Sequence, residues 1–386
     1  MRLTLVLFTL AAAACLPQAG FYAQTDAPDA AVVAPAAAVA EAPIEKENDK
    51  RKKRKYPEED RVTDLFAAVQ AGDTAKVADL IDPMDYYKLN EAGESALTQA
   101  IQNGDAPMTY FLEEKAVINL KNGAGETPLT LAIKKGNDEI IQIILQRAKA
   151  GLKNDAGETP LMLALEKGDL LLAQSLIDNG ADVNRKTNGA TPMSKAVSAN
   201  NVKAVAMLIR NGADPSQAND DGDIPLYIAV RNGYNVIAGI LLYKSNKPDK
   251  DANWKTDMGE TLLNIAIDKE YEQIARILLD FGADPNLEDF MENTSLNIAS
   301  EKGQTEMVML LLDQGADPNH ANIMGGTPVT AAAQNGHLDL AQTLAAHGAN
   351  PGRRNFEGFA AADFGISEAS MTDPMLINEV LDATQQ

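Results

Sequence analysis

Gly125-Glu126-Thr127-Pro128-Leu129-Thr130-Leu131-Ala132-Ile133-Lys134-Lys135-Gly136 is the stretch on which the fold turns. Thr127 before Pro128 reads as an N-cap hydroxyl followed by proline at the first helical position, where its missing N–H has no partner to lose. Leu129, Leu131, Ala132 and Ile133 supply the apolar residues of a short helix. Gly136 ends it, because glycine takes the left-handed conformation of a helix C-terminus without steric penalty. A second helix is expected directly after, over Ile140 to Leu145, where apolar residues recur on one helical face.

The stretch recurs. Gly-Glu-Thr-Pro-Leu returns intact at 157–161, in looser form around Thr191, Ile224, Thr261, Thr294 and Thr327, and weakly around Ser95. The threonine-equivalent positions 95, 127, 159, 191, 224, 261, 294 and 327 are 32 or 33 residues apart, save one gap of 37 before Thr261. A second phrase keeps step with the first: Gly180-Ala181-Asp182, Gly212-Ala213-Asp214, Gly282-Ala283-Asp284, Gly315-Ala316-Asp317 and Gly348-Ala349-Asn350. A unit of this length is a helix pair with one apolar face that only a stacked neighbour can bury.

Both phrases resemble the ankyrin repeat, with its period near 33 and its Thr-Pro-Leu-His-x-Ala signature. The resemblance covers residues 62–382 and implies an all-α ankyrin-repeat solenoid of stacked helix-turn-helix units joined by β-hairpin turns. Eight full repeats carry the threonine phrase. Val62 to Lys88 reads as an N-terminal cap, and Asn355 to Leu381 as a degenerate C-terminal cap with Gly358-Phe359-Ala360 in place of Gly-Thr-Pro. Alanine at 132, 164, 196, 229, 266, 299 and 332 is expected where neighbouring helices come closest. Two departures stand out. The family's histidine, which links turns by hydrogen bonds, is replaced by Thr98, Thr130, Met162, Ser194, Tyr227, Asn264, Asn297 and Thr330, so the first repeats are expected to be softer. The second and third repeats also lack Gly-Ala-Asp.

Upstream, residues 1–23 read as a signal peptide. Arg2 precedes an apolar run from Leu3 to Ala14, shorter than the ~20 residues of a membrane span, and cleavage is expected near residue 14 or 23. Cys15, the only cysteine, follows Ala12-Ala13-Ala14 in a pattern that resembles a bacterial lipobox. Lipidation at Cys15 and ordinary cleavage to a soluble protein both remain open. Residues 24–57 are an Ala/Pro-rich and basic linker, expected to be disordered because it cannot bury enough apolar surface to offset its ordering entropy. Its basic run at 50–55 reads as a solvated linker or as an electrostatic tether to an anionic membrane face. The array occupies 58–386.

Charge and residue types narrow the function. The formal net charge is −21, and with the basic linker set aside residues 56–386 hold 26 Lys and Arg against 49 Asp and Glu. Such a surface repels nucleic acid and favours solubility or a basic partner. One cysteine permits no intramolecular disulfide. The three histidines, His320, His337 and His347, form no ligand or triad pattern, and neither a zinc-protease motif nor a phosphate-binding glycine loop occurs. The chain therefore reads as a non-enzyme, with no cofactor and no metal.

Proteins of the resembling family bind other proteins through hairpin tips and the exposed side of the first helices. Met258, Met291 and Met324 fall at one equivalent position, three residues before the threonine, and Phe290 and Ile323 precede two of them. Polar residues are usual there, as Asp221 is in this chain, so an apolar row suggests an adaptable contact surface. The four extra residues before Thr261 fall in Tyr243 to Asn253, read as a protruding loop, and Trp254, the single tryptophan, follows as a second anchor. A mixed-charge row that includes Lys134, Lys167, Arg231, Asp268, Lys269 and Lys302 reads as a polar groove or a solvated face. The expected function is a monomeric, non-catalytic protein–protein interaction scaffold, exported to the periplasm in soluble or lipid-anchored form. A lipid-anchored envelope spacer and a secreted effector acting on host proteins are the alternatives.

Overall fold

The computed structural model describes residues 58–114 and 116–367. The expected signal peptide with Cys15, the expected linker with its basic run, and the expected C-terminal cap from residue 368 lie outside the described residues. Within them the chain is all-α, with nineteen α-helices and no strand. The hairpin turns are short loops, and only two isolated bridges, Thr187–Ala190 and Lys255–Thr261, mark them.

The repeat at Thr127 shows why the sequence folds this way. Helix Pro128–Lys135 starts with Thr130 N donating to Thr127 Oγ1 at 3.1 Å, while Thr127 N donates back to Thr130 Oγ1 at 2.9 Å. These bonds satisfy two of the amides a helix start leaves open. Gly136 closes the helix at φ +74. Asn137 then caps the second helix, Asp138–Leu145, by accepting from Ile140 N at 3.1 Å. Thr159 with Asp169, and Thr191 with Asn201, repeat the two-cap scheme. Helix Pro225–Arg231 starts instead at Ile224, which makes no side-chain cap, and keeps only proline at its first position.

Stacking buries what each pair exposes. The alanine column at 132, 164, 196, 229, 266, 299 and 332 is 0–2% exposed throughout. It belongs to a single hydrophobic core running from Leu65 to Ile366. Leu129, Ile140 and Ile144, and their counterparts in later repeats, fill the space between helix layers.

Polar ladders fix the register between repeats. Asn184 Nδ2 donates to Gly212 O and Asn184 Oδ1 accepts from Asp214 N, at 3.1 and 2.8 Å. Asn253, Asn286 and Asn319 clasp the next Gly-Ala-Asp or Gly-Ala-Asn in the same way. The phrase recurs in the sequence because its glycine holds φ between +83 and +93 and its alanine is buried. Asn119 Oδ1 accepts from Lys149 N at 3.0 Å, so the repeat of Ser95 docks on that of Thr127 without the phrase. The four-residue insertion is not a protruding loop. It folds into helix Pro248–Ala252, with Ala252 buried and Asp251 accepting from Ser216 Oγ and Ser245 Oγ at 2.5 Å each, and Asn253 resumes the ladder.

The first repeats, expected to be softer for want of histidine, are joined by another device. Asn122 Nδ2 donates to both Glu94 carboxylate oxygens, and Asn154 Nδ2 to Glu126 and Glu158 at 3.0 and 2.7 Å. Lys134 Nζ bridges Glu126 and Glu158 at 2.7 and 2.6 Å. Burial alone would raise the Glu126 carboxyl, but hydrogen bonds from Lys134, Asn154 and Thr130 hold it below its ordinary value. The same Lys134 and Asn154 bonds lower Glu158, and the two carboxylates raise Lys134. Later repeats use asparagine: Asn264 Nδ2 donates to Asn293 O at 3.3 Å and Asn264 Oδ1 accepts from Ser295 Oγ at 2.6 Å. At the N-terminal cap, Arg61 pairs with the fully buried Asp85 and donates to Leu80 O at 2.7 Å.

Candidate functional site

The hairpin fingers are built to one plan. In every finger but that of Thr191, the residue five before the threonine position, an Asn, Asp or Thr, pairs its N–H with the carbonyl one residue before the threonine and its carbonyl accepts from the amide three residues further on. In the finger of Asp289, Asp289 N donates to Asn293 O and Glu292 N to Asp289 O, both at 3.0 Å, while Asp289 Oδ1 accepts from Met291 N and Asn293 N at 2.8 Å. Asn322 does the same with Met324 N and Gly326 N, and Asn355 with Glu357 N and Phe359 N. The clamp fixes the backbone on both sides of the tip, so two residues per finger are held out on an ordered loop.

Those two positions carry the apolar row. Met258, Phe290, Ile323 and Met324 are 64, 59, 46 and 48% exposed. Met291 is half-buried and lines a groove of about 800 Å³ with Phe290, Tyr227, Arg231, Asn264, Asp268 and Lys302. The structure therefore brings five of the six proposed contact residues together on consecutive fingers. Ile323 N donates to Met291 O, and Phe356 N to Met324 O, both at 3.0 Å, which makes the last three fingers one continuous rim. Phe356, 79% exposed, extends the row onto a fourth finger. Sequence reasoning missed it, although it stands four residues before Ala360 as Phe290 does before Thr294; alanine in place of threonine hid the equivalence.

Trp254 is placed differently. It is half-buried and lies tilted at 37° against Tyr227, with ring centroids 5.0 Å apart. Tyr227 lines the groove, and Trp254, just after the insertion helix, packs against its ring. The mixed-charge row is largely consumed by ties between repeats: Lys195 with Glu166 at 2.6 Å, Lys302 with Asp268 at 3.2 Å, and Lys134 as above. The histidines likewise have structural contacts. His320 Nε2 meets Glu292 O at 2.9 Å, His347 Nδ1 meets Thr343 O at 2.8 Å, and the His337 ring lies against Gly303. Among the described residues no three His, Cys, Asp or Glu side chains are grouped as a metal ion would require, and no helix is long and apolar enough to cross a membrane.

The helix pairs, clasping ladders and fingers agree with the comparison to known families. The pattern of ankyrin repeats in three copies matches residues 65–154, 137–219, 208–289 and 287–355. The chain belongs to the ankyrin-repeat family. Ankyrin repeats are generally protein–protein interaction modules and typically non-catalytic. No curated protein matches the chain.

Proposed function

We propose that this ankyrin-repeat chain is a non-catalytic scaffold that holds a partner protein on its last four fingers and in the groove beneath them. The carrying observation is the row of exposed apolar residues, Met258, Phe290, Ile323, Met324 and Phe356, displayed at the two tip positions of successive fingers, on clamped loops that need no reordering to bind. Preformed loops lower the entropy cost of association. Phe and Met at such a surface supply contact area that adapts to an irregular partner. The apolar run Leu3 to Ala14 supports export, with Cys15 or the basic run at 50–55 as the membrane tether of the mature protein.

The test is cross-linking and affinity capture with the full chain in its own cells, beside Met258→Lys, Met291→Lys and Met324→Lys combined. The expected result is one protein captured by the parent and lost by the variant, with the helical circular dichroism of the two unchanged. Undiminished capture by the folded variant would remove the fingers as the site.

A further inference from the structure

We infer that the segment received by the late fingers is a cationic peptide stretch, lying extended across the tips, with an apolar side chain at every third position. The inference rests on the fingers being the binding face and adds the chemistry of what they bind.

Charge complementarity is the first support. Residues 254–367 carry 6 Lys and Arg against 17 Asp and Glu. Most of those cations are engaged: Arg276, Lys302 and Arg354 pair with Glu272, Asp268 and Asp363, and Lys255 and Arg353 donate to backbone carbonyls. Asp257, Glu260, Glu292 and Glu357 stand exposed on or beside the same tips as Met258, Phe290 and Phe356. An apolar row set among carboxylates selects a ligand that is both apolar and positive.

Glu292 is the second support. Eight fingers place glycine two residues before the threonine position, at 93, 125, 157, 189, 222, 259, 325 and 358, each with positive φ. The ninth places Glu292 there at φ +57. The backbone of this finger accepts a glycine without strain, so the carboxylate works against folding locally. It sits beside Met291 on the finger that carries both Phe290 and Met291, where it would meet a cation flanking the apolar anchor.

Spacing is the third. Packed helix layers lie about 8–10 Å apart, and the late fingers follow that stack with direct hydrogen bonds between Met291 and Ile323 and between Met324 and Phe356. An extended or polyproline chain advances about 3.1–3.4 Å per residue. Three residues then span one finger, and about ten span the four fingers from Met258 to Phe356.

The experiment titrates the full chain with labelled synthetic peptides about ten residues long and reads fluorescence anisotropy. One peptide has leucine at every third position with lysine and proline between. A second has the same composition with the leucines consecutive, and a third keeps the spacing with glutamate for lysine. The spaced cationic peptide should bind about tenfold more tightly than the shuffled one, weaken as salt rises, and far exceed the acidic one. Glu292→Gly should weaken it about two- to fivefold, the range of one exposed ion pair, in a variant that folds at least as well as the parent. Equal binding of the acidic or shuffled peptide, or no change with Glu292→Gly, would overturn the inference. If the spaced peptide fails while capture of a partner protein still depends on Met291 and Met324, only the chemistry assigned here falls. If capture ignores the methionines, the finger reading falls with it.

Discussion

Glu292→Gly should stabilise the array, and the structure sets the size of the effect. Glu292 holds φ +57, a conformation that costs an L-residue with a Cβ about 1–2 kcal/mol. Its side chain makes no hydrogen bond or ion pair among the described residues. What it contributes is backbone: Glu292 N donates to Asp289 O at 3.0 Å and Glu292 O meets His320 Nε2 at 2.9 Å, and glycine keeps both. Against the relief stands the greater freedom of glycine in the unfolded chain, about 0.4–1 kcal/mol. The net expectation is a gain of about 0.5–1 kcal/mol. With a urea slope of about 2–3 kcal/mol/M the midpoint should rise by roughly 0.2–0.5 M. Trp254, the single tryptophan, packs on Tyr227 in the preceding part of the array and gives a fluorescence signal local to the late repeats, to be set beside far-ultraviolet circular dichroism of the whole. Gly325→Ala is the matched control of opposite sign. Gly325 lies at φ +73, and an added Cβ would come within 3.1 Å of the Phe356 ring, so the midpoint should fall. If Glu292→Gly lowered the midpoint, or if Gly325→Ala left it unchanged, the strain argument would be refuted.

Two further outcomes are expected. Glu126 titrates below its ordinary value in the folded chain, so its share of stability is present above about pH 4.3 and is lost as pH falls through the folded value. Urea midpoints at neutral pH and near pH 3 should therefore draw together in Glu126→Gln relative to the parent, and parallel losses in both proteins would contradict this. Asp85→Ala removes the buried carboxylate that Arg61 and Lys88 meet and should cost about 3 kcal/mol. Because the damage is confined to the N-terminal cap, circular dichroism should fall at lower urea than Trp254 fluorescence moves; coincident transitions with an unshifted midpoint would argue against it.

Much of the fold could be read from sequence because the repeat states the same physical solution many times. Thr127-Pro128 and Gly136 each declare a helix end, and the alanine column declares where helices touch, so the helix pairs, their register and their buried face were legible. Reasoning failed where a function passed to an unfamiliar residue. Glu94–Asn122 and Glu126–Asn154 join the early repeats in place of histidine, and no local pattern announces a pair 28 residues apart. The insertion was visible as a gap of 37, yet its helix depends on Asp251 meeting Ser216, a contact no spacing rule predicts. In the candidate site, Met258, Phe290, Met291, Ile323 and Met324 were found from equivalence to the threonine. Phe356 was lost with that threonine, and the packing of Trp254 on Tyr227 was not legible because the two are distant in sequence.

The positions that hold the scaffold together and those offered to a partner are separated within each finger. The clamp residue five before the threonine is Asn, Asp or Thr in every finger but that of Thr191, because its side chain must accept backbone N–H groups. The two tip residues make few such demands, so their identities are free to differ. In the early fingers they do so toward small or polar choices, as in Ala92, Ala124, Ala156, Asn188 and Asp221, and in the late ones toward Met, Phe and Ile. Stability cannot account for that change, since exposed apolar tips add no core and invite association. The early and late halves share one hydrophobic core, so the difference at their tips lies in what the fingers present.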